Sequence, residues 1–198
     1  MRLIMPAPKI TRRKLPGGDA GTRATLGEMA RLINEGARDW SVIQAARAVA
    51  ADVPPTDHKG RISALFCWVR DKVRFTRDPV GVELLVGAPQ MIADISERGE
   101  TEGDCDEKTT LLGAMLKAVG YPVKLVAAKT RPVRGPFGSV MWPYSHVYLE
   151  VKVPGAGNIR LDPTRMEAQV GQEVPSVGEL VYPVYAKKKE ISTWRQLL

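Results

Sequence analysis

The chain has 198 residues, of which 44% are hydrophobic and 26% are charged, as is typical of one globular domain with or without extensions. Its two cysteines exclude a disulfide framework, so we expect a reduced compartment. No apolar run approaches the roughly 18 residues of a membrane span, and residues 1–6 lack the apolar stretch of a secretory signal. The sequence therefore predicts neither contact with a membrane nor secretion by a signal peptide.

The formal net charge of +7 favours anionic partners, although a solvated basic surface is the commoner explanation of such a value. The basic residues concentrate near the two ends of the chain, at residues 9–14 and 187–189. Neither cluster is interleaved with aromatic residues, so we do not expect a nucleic-acid partner. The two basic arms are instead candidate contacts for protein assembly partners.

Residues 1–24 are rich in proline, glycine and basic side chains, and this composition predicts an extended basic arm. Residues 25–57 predict a helical N-terminal extension. Its first helix begins at a Thr25 cap and ends at Gly36, and its second helix follows an Asp39 cap.

We predict that residues 58–183 form the core of the protein and that residues 184–198 form a C-terminal tail. Apolar residues recur at helical spacing over residues 59–72, and residues 89–96 predict a shorter helix. A further helix begins at Cys105 and carries a long apolar run.

After that helix the period of the apolar residues changes from 3.6 to 2. Residues 123–127 predict a strand, residues 131–143 a loop, and residues 146–153 and 158–162 a hairpin. A polar loop over residues 98–103 leads into the Cys105 helix. Helices followed by strands predict an α+β fold with an antiparallel sheet.

Cys105 is the candidate nucleophile, because its thiol lies on the first turn of a predicted helix. The partial positive charge of a helix N-terminus stabilises a thiolate, and the unpaired backbone N–H of Cys105 can face a developing oxyanion. The neighbouring carboxylates of Asp104 and Asp106 oppose thiolate formation.

His146 and Asp162 are predicted to share one face and one open end of the hairpin. His146 lies eight residues before position 154 and Asp162 eight residues after it, and residues two apart on a strand share a face. An aspartate there can accept a hydrogen bond from one ring nitrogen of the histidine and orient the other. A bulge in the connecting loop would shift this register.

Each of these residues has a plainer structural explanation. A lone cysteine is more often a small buried hydrophobe than a nucleophile, and we assign Cys67, between Phe66 and Trp68, to the core. A strand histidine is usually a surface or hydrogen-bonded residue, and an Asp-Pro pair usually marks a turn. The combination of all three in this order is what points to catalysis.

Four segments resemble the transglutaminase-like superfamily. They are Gly-Asp-Cys-Asp-Glu at residues 103–107, Gly-Tyr-Pro-Val at 120–123, Ser-His-Val-Tyr-Leu-Glu-Val at 145–151 and Leu-Asp-Pro-Thr at 161–164. The resemblance covers roughly residues 60–165 and implies a papain-like α+β core, in which the nucleophile-bearing helix packs on an antiparallel sheet. Bacterial and phage proteins are among the members of this superfamily.

The resemblance assigns roles to the candidate residues. Cys105 would be the nucleophile, His146 the general base and then acid, and Asp162 the residue that orients the histidine. Members often have an aromatic residue two positions after the histidine, a place that Tyr148 fills. Gln90 is the candidate for the oxyanion-stabilising side chain, because it is the only glutamine between Gln44 and Cys105.

The resulting expectation is a cysteine hydrolase of peptide or protein amide bonds, acting through a thioester without a metal or other cofactor. Peptides, peptidoglycan stems and side-chain amides all stay open as substrates. The alternative is a structural or binding component of a larger assembly, such as a phage virion, that contacts its partners through the basic arms. We accordingly expect a cytoplasmic or virion-associated location.

Overall fold

The computed structural model describes residues 18–78 and 84–185. Within these ranges the helices are α1 (Gly18–Gly36), α2 (Trp40–Val49), α3 (His58–Lys72), α4 (Ala88–Arg98) and α5 (Cys105–Ala118). The strands are β1 (Val73–Phe75), β2 (Thr101–Gly103), β3 (Val123–Ala128), β4 (Val133–Arg134), β5 (Val140–Met141), β6 (His146–Val153), β7 (Gly157–Leu161) and β8 (Glu179–Pro183).

The main sheet has four antiparallel strands in the order β7-β6-β3-β8. Leu149 in β6 pairs with Leu125 in β3 on one side and with Leu161 in β7 on the other, so the apolar residues of three strands line up on one face. This arrangement confirms the predicted α+β fold with an antiparallel sheet.

Helix α5 lies at the centre of the molecule. Every residue from Asp106 to Leu116 is buried, because the helix packs against β6 and β3 and is also in contact with the other four helices. The helix that begins at Cys105 therefore packs on the sheet, as predicted. Since α5 is enclosed by protein, its first residue is held by packing as well as by its own hydrogen bonds.

Helices α1 and α2 belong to the same core as α5. Ile33 of α1 lies so close to Gly113 of α5 that a Cβ atom on Gly113 would come within 2.9 Å of the Ile33 Cδ1 atom. Glycine at this position thus permits the close approach of the two helices. The segment 25–57, predicted as an extension, packs as an integral part of the fold.

The prediction that residues 18–24 are extended is wrong, because α1 begins at Gly18. Thr25 lies inside the helix rather than at its cap. No proline follows Pro16 before Pro54, so nothing in the sequence prevents the helix from starting seven residues earlier.

Other boundaries follow the sequence closely. Asp39 caps α2 as predicted, since its side chain accepts a hydrogen bond from the Ser41 N–H at 2.9 Å. The predicted loop over residues 98–103 ends in β2, which pairs in parallel with β1. The predicted loop over residues 131–143 contains the small hairpin β4–β5.

The register of the β6–β7 hairpin differs from the prediction by two residues. Glu150 pairs with Arg160, and Val153 with Gly157, a register that would place Asp162 opposite Tyr148 rather than opposite His146, with three residues in the connecting turn. Gly155 and Gly157 adopt positive φ angles of 72° and 79°, which allow this tighter turn. A shift of two preserves the face of each side chain, so His146 and Asp162 still lie on the same side.

None of the helices in the two described ranges is long and apolar enough to cross a membrane. The two basic clusters at residues 9–14 and 187–189 lie outside the described residues, as does most of the predicted tail.

Candidate active site

Cys105 is the first residue of α5, and a capping box fixes the backbone around it. The Asp104 side chain accepts a hydrogen bond from the Asp106 N–H at 2.8 Å, and the Glu107 carboxylate accepts one from the Asp104 N–H at 3.0 Å. Glu107 also packs on Gly103, where a Cβ atom would come within 2.5 Å of the Glu107 Cβ atom. The run from Gly103 to Glu107 therefore forms one tightly packed helix start.

The Cys105 thiol is partly buried among groups that oppose its ionisation. Burial raises the pKa of the thiol well above its usual range, and the Asp106 and Asp104 carboxylates raise it further. The thiol donates a weak 3.5 Å hydrogen bond to Asp106 Oδ1, and the backbone N–H of Val147 bonds to the sulfur and acts in the opposite direction. Burial and the two carboxylates therefore oppose the activation of the thiol by the helix N-terminus that the sequence predicts, and favour a neutral thiol in the free protein.

His146 and Asp162 form the hydrogen bond that the sequence predicts. The His146 Nε2 atom lies 2.8 Å from Asp162 Oδ2, and Asp162 Oδ1 accepts a second bond from the Thr164 N–H at 3.1 Å. Burial raises the pKa of Asp162, but the bond and charge of His146 and the bond from the Thr164 N–H outweigh it and hold the pKa below its usual range. Because the ionised aspartate only accepts, Nε2 carries the proton and Nδ1 is left as the acceptor of the neutral ring.

The start of α5 is fastened to β6 beside His146. Val147, the residue after His146, uses its N–H to contact the Cys105 sulfur and its carbonyl to accept a 3.2 Å hydrogen bond from the Thr109 hydroxyl. Cys105 begins α5, His146 begins β6, and Asp162 directly follows β7. The structure thus brings the three predicted residues to one end of the sheet.

Gln90, the candidate for the oxyanion, lies in the first turn of α4. Its side-chain amide donates a 3.0 Å hydrogen bond to Asp94 Oδ1 on the same helix. The Gln90 amide would have to give up this hydrogen bond in order to donate to a substrate oxygen, so the assignment of Gln90 stays a prediction.

Lys108 is a residue of the site that the sequence did not reveal. It lies one turn after Cys105 and is only 1% exposed, and its Nζ donates a 3.1 Å hydrogen bond to the Arg70 carbonyl. Burial lowers its pKa to about 8, while attraction to Asp162 and then Asp71 acts against that shift. The signal in the sequence is a run of five polar residues, 106–110, at the start of an otherwise apolar helix.

Two overlapping groups at this helix start offer atoms that a cation accepts. Ligand atoms of Asp78, Asp104 and Glu107 lie within 4.8 Å of one another, as do those of Asp104, Cys105 and Asp106. The Glu107 carboxylate, however, already accepts hydrogen bonds from the N–H groups of Val86 and Asp104. The capping box accounts for this crowding, and the expectation of catalysis without a metal stays a prediction.

A family model described as the transglutaminase-like superfamily matches residues 47–163, a span that contains Cys105, His146 and Asp162. No curated protein gives a significant match.

Among solved structures, the chain is similar to a putative protease from Parabacteroides distasonis, with 12% identity, a TM-score of 0.51 and coverage of 70% of this chain and 26% of that one. A putative cysteine protease from Cytophaga hutchinsonii has 13% identity and a TM-score of 0.44 over 78% of this chain and 55% of that one. An arylamine N-acetyl transferase from M. smegmatis has 21% identity and a TM-score of 0.34 over 54% of this chain and 38% of that one.

The chain thus spans between about a quarter and about half of the length of these three proteins. At 12% identity, the similarity to the Parabacteroides distasonis protein concerns the fold alone.

Proposed function

The chain belongs to the transglutaminase-like superfamily, and from this premise we propose that it is a cysteine hydrolase of amide bonds, of the peptidase or amidase type. The observation that carries the proposal is the 2.8 Å hydrogen bond between His146 and Asp162, together with the bond from the N–H of Val147, the residue after His146, to the Cys105 sulfur. A buried aspartate that fixes one tautomer of a histidine next to a helix-start cysteine is the arrangement that a thiol nucleophile needs.

In the first step, the Cys105 sulfur attacks the carbonyl carbon of an amide. The neutral thiol gives its proton to His146 Nδ1 as the carbon–sulfur bond forms, so no thiolate has to persist in the free enzyme. Asp162 stabilises the imidazolium that results. The backbone N–H of Cys105 and the Gln90 amide are the candidate donors to the oxyanion.

In the second step, the tetrahedral intermediate collapses and the carbon–nitrogen bond breaks. His146 returns its proton to the leaving nitrogen, so an amine departs and a thioester remains on Cys105. Water then attacks the thioester carbon and gives a proton to His146. The thiol regains that proton as the carboxylic acid leaves, which completes the hydrolysis.

The high pKa of the Cys105 thiol supports a mechanism in which His146 acts as a true general base. Burial and the two carboxylates hold the thiol neutral, so proton transfer and attack have to occur together once a substrate is present. An enzyme of this kind protects its resting cysteine from oxidants and alkylating agents, since the thiolate is the reactive form.

The proposal is tested by looking for an acyl group on Cys105. The full chain is incubated with protein and peptide amides, quenched in acid and analysed by intact mass and peptide mapping. We expect a thioester on Cys105 and release of free amine, both lost in Cys105→Ala and kept in Cys67→Ser. Turnover that persists in Cys105→Ala would refute the proposal, as would a thioester that forms equally well in His146→Ala.

An added primary amine separates hydrolysis from acyl transfer. With water as acceptor the product is a carboxylic acid, whereas an amine that competes for the thioester gives a new amide. We expect the acid to dominate at millimolar amine, and predominant amide formation would reassign the enzyme as a transferase.

The alternative of an assembly component rests on the basic clusters at residues 9–14 and 187–189, whose charge fits an acidic partner. It predicts that removing the arms abolishes function while Cys105→Ala preserves it. The proposed hydrolase predicts the reverse.

A further inference from the structure

An exposed apolar surface lies on the β4–β5 hairpin, which lies in the chain between β3 and His146 at the start of β6. We call it the hairpin surface, and it consists of Val133, Phe137, Val140, Met141 and Trp142. It covers both faces of the hairpin, because Val133 pairs with Met141 on one face and Val140 pairs with Arg134 on the other. Phe137 is fully exposed at the tip, and it is the one non-glycine residue with a positive φ, 55°, in the described part of the chain. A positive φ at a non-glycine residue costs free energy, and here it accompanies an aromatic ring that is held in solvent.

The base of this hairpin is fixed beside the proposed active site. Thr130 and Ser145 join its two ends, with 3.0 Å between their hydroxyl oxygens and 3.3 Å from the Thr130 N–H to the Ser145 hydroxyl. The Ser145 N–H also donates to the Ala128 carbonyl at 3.0 Å, which ties the base to β3. His146 is the next residue, so a molecule bound along the hairpin would lie close to the histidine.

The positive charge of the hairpin favours an acidic partner. Residues 129–146 contain three cations, Lys129, Arg131 and Arg134, and no aspartate or glutamate. Arg131 and Arg134 are exposed, whereas the Lys129 ammonium lies 4.8 Å from the centre of the Tyr144 ring. The chain's own terminal arms are basic as well, so electrostatic repulsion disfavours them as occupants of this surface.

We propose that the hairpin surface is the substrate-docking surface of the enzyme, and that it takes an extended polypeptide segment in which acidic and apolar side chains alternate. The acidic side chains would meet Arg131 and Arg134, and the apolar ones would cover Phe137 and Trp142. The inference rests on the proposed function for its chemistry, but the docking itself needs no catalysis.

A polypeptide fits the surface better than a lipid membrane does. In the described ranges β4 and β5 pair only with each other, so the outer edge of each strand has no strand partner and can accept the backbone of an extended segment. The proximity of the hairpin base to His146 also gives a bound polypeptide a route to the site that a flat membrane lacks.

The test measures binding to the full chain carrying Cys105→Ala, so that docking is read without turnover. The probes are a fluorescein-labelled 12-residue peptide of alternating glutamate and leucine, a matched peptide with lysine for glutamate, and vesicles containing phosphatidylserine. We expect the acidic peptide to bind at least about tenfold more tightly than the basic one, with an affinity that weakens as salt is added.

Two pairs of hairpin substitutions, each with a matched control, locate the docking. Phe137→Ser with Trp142→Ser should weaken binding of the acidic peptide at least about tenfold, and Arg131→Glu with Arg134→Glu should reverse the preference between the two peptides. Trp40→Ser and Arg47→Glu change an exposed apolar and an exposed basic residue on α2, and both should leave binding unchanged.

Several results would overturn the inference. They are equal binding of the two peptides, hairpin variants that bind like their controls, and binding to vesicles without binding to either peptide, which would make the surface a membrane contact. Self-association lost only in the hairpin variants would assign it to a second copy of the chain. Failure of the proposed function would look different, because peptides would still bind while no thioester formed on Cys105.

Discussion

His146 and Asp162 share a 2.8 Å hydrogen bond although they are not cross-strand partners. The register that pairs Leu149 with Leu161 would place Asp162 opposite Tyr148, two residues along β6 from His146. Asp162 reaches the histidine from just beyond the end of β7, where its second oxygen is held by the Thr164 N–H. The geometry of the pair therefore depends on the turn after β7 as well as on the sheet.

Replacing Asp162 by asparagine should lower kcat/KM by about 10²- to 10⁴-fold. An asparagine can donate to the histidine and favour the tautomer with its proton on Nδ1, which then cannot accept the thiol proton. The measurements are turnover and the ¹⁵N shifts of the His146 ring, which report the tautomer directly. Asp52→Asn, at an exposed aspartate outside the site, is the control. An unchanged tautomer with unchanged turnover would show that Asp162 only packs beside the ring.

Replacing Asp106 by asparagine should make Cys105 more reactive. Asp106 accepts the thiol hydrogen bond and its charge opposes the thiolate, so a neutral side chain lowers the cost of ionising the sulfur. We expect iodoacetamide to alkylate Cys105 roughly threefold to tenfold faster at pH 7. Peptide mass spectrometry follows the reaction, with Cys67 of the same chain as the internal standard. An unchanged rate would mean that burial and Asp104, rather than Asp106, set the low reactivity of the thiol.

The strand alternation placed His146 and Asp162 on one face because the observed register differs by an even number of residues from the one in which they would be directly opposite; a slip of one residue would have put them on opposite faces. The register was not accessible in the same way. It depends on positive φ angles at Gly155 and Gly157, and a Pro-Gly-Ala-Gly sequence fits more than one turn length.

Lys108 escaped prediction because hydrophobic periodicity describes a helix with one exposed face. Helix α5 is enclosed on every side, so its polar residues are buried by tertiary packing that no local pattern reports. The same packing explains the pKa of Cys105. The helix start was correctly located, but the burial that keeps the thiol neutral comes from segments far away in the chain.

Replacing Glu107 by glutamine should change how stability depends on pH. Burial, then repulsion from Asp104, raises the pKa of Glu107 above its ordinary value of 4.5. The folded protein therefore holds a proton that the unfolded chain has lost, and this part of the stability is present at low pH and is lost as pH rises above about 4.5. Glutamine resembles the protonated acid, so the variant should lack that loss.

Urea unfolding at pH 5, 6.5 and 8 measures this effect. The free energy of unfolding of Glu107→Gln relative to the natural chain should rise with pH, by at most about 1.4 kcal/mol per pH unit. Glu97→Gln, at an exposed position on α4, should show no such trend. If the difference in the free energy of unfolding stayed constant across the three pH values, Glu107 would not be the group that holds the extra proton in the folded protein.

Replacing Lys108 by methionine should slow turnover in a way that depends on pH. The buried ammonium attracts Asp162, and this attraction would help to place the carboxylate for His146, so we regard Lys108 as a positioning residue. A contribution of about 1 kcal/mol corresponds to roughly a fivefold lower kcat/KM at pH 6.5. Because burial lowers the pKa of Lys108 to about 8, the kcat/KM of the natural chain should approach that of the variant as the pH rises past that value.

Lys117→Met provides the matched control for this experiment. Lys117 lies on the same helix and its Nζ donates a 3.1 Å hydrogen bond to a backbone carbonyl, that of Val184, just as Lys108 bonds to Arg70. Burial lowers the pKa of Lys117 too, but no carboxylate is among the groups that shift it. Replacing Lys117 should leave the ratio of kcat/KM between the variant and the natural chain near one at every pH. If the two variants behave alike, Lys108 serves the packing of α5 rather than the charge of Asp162.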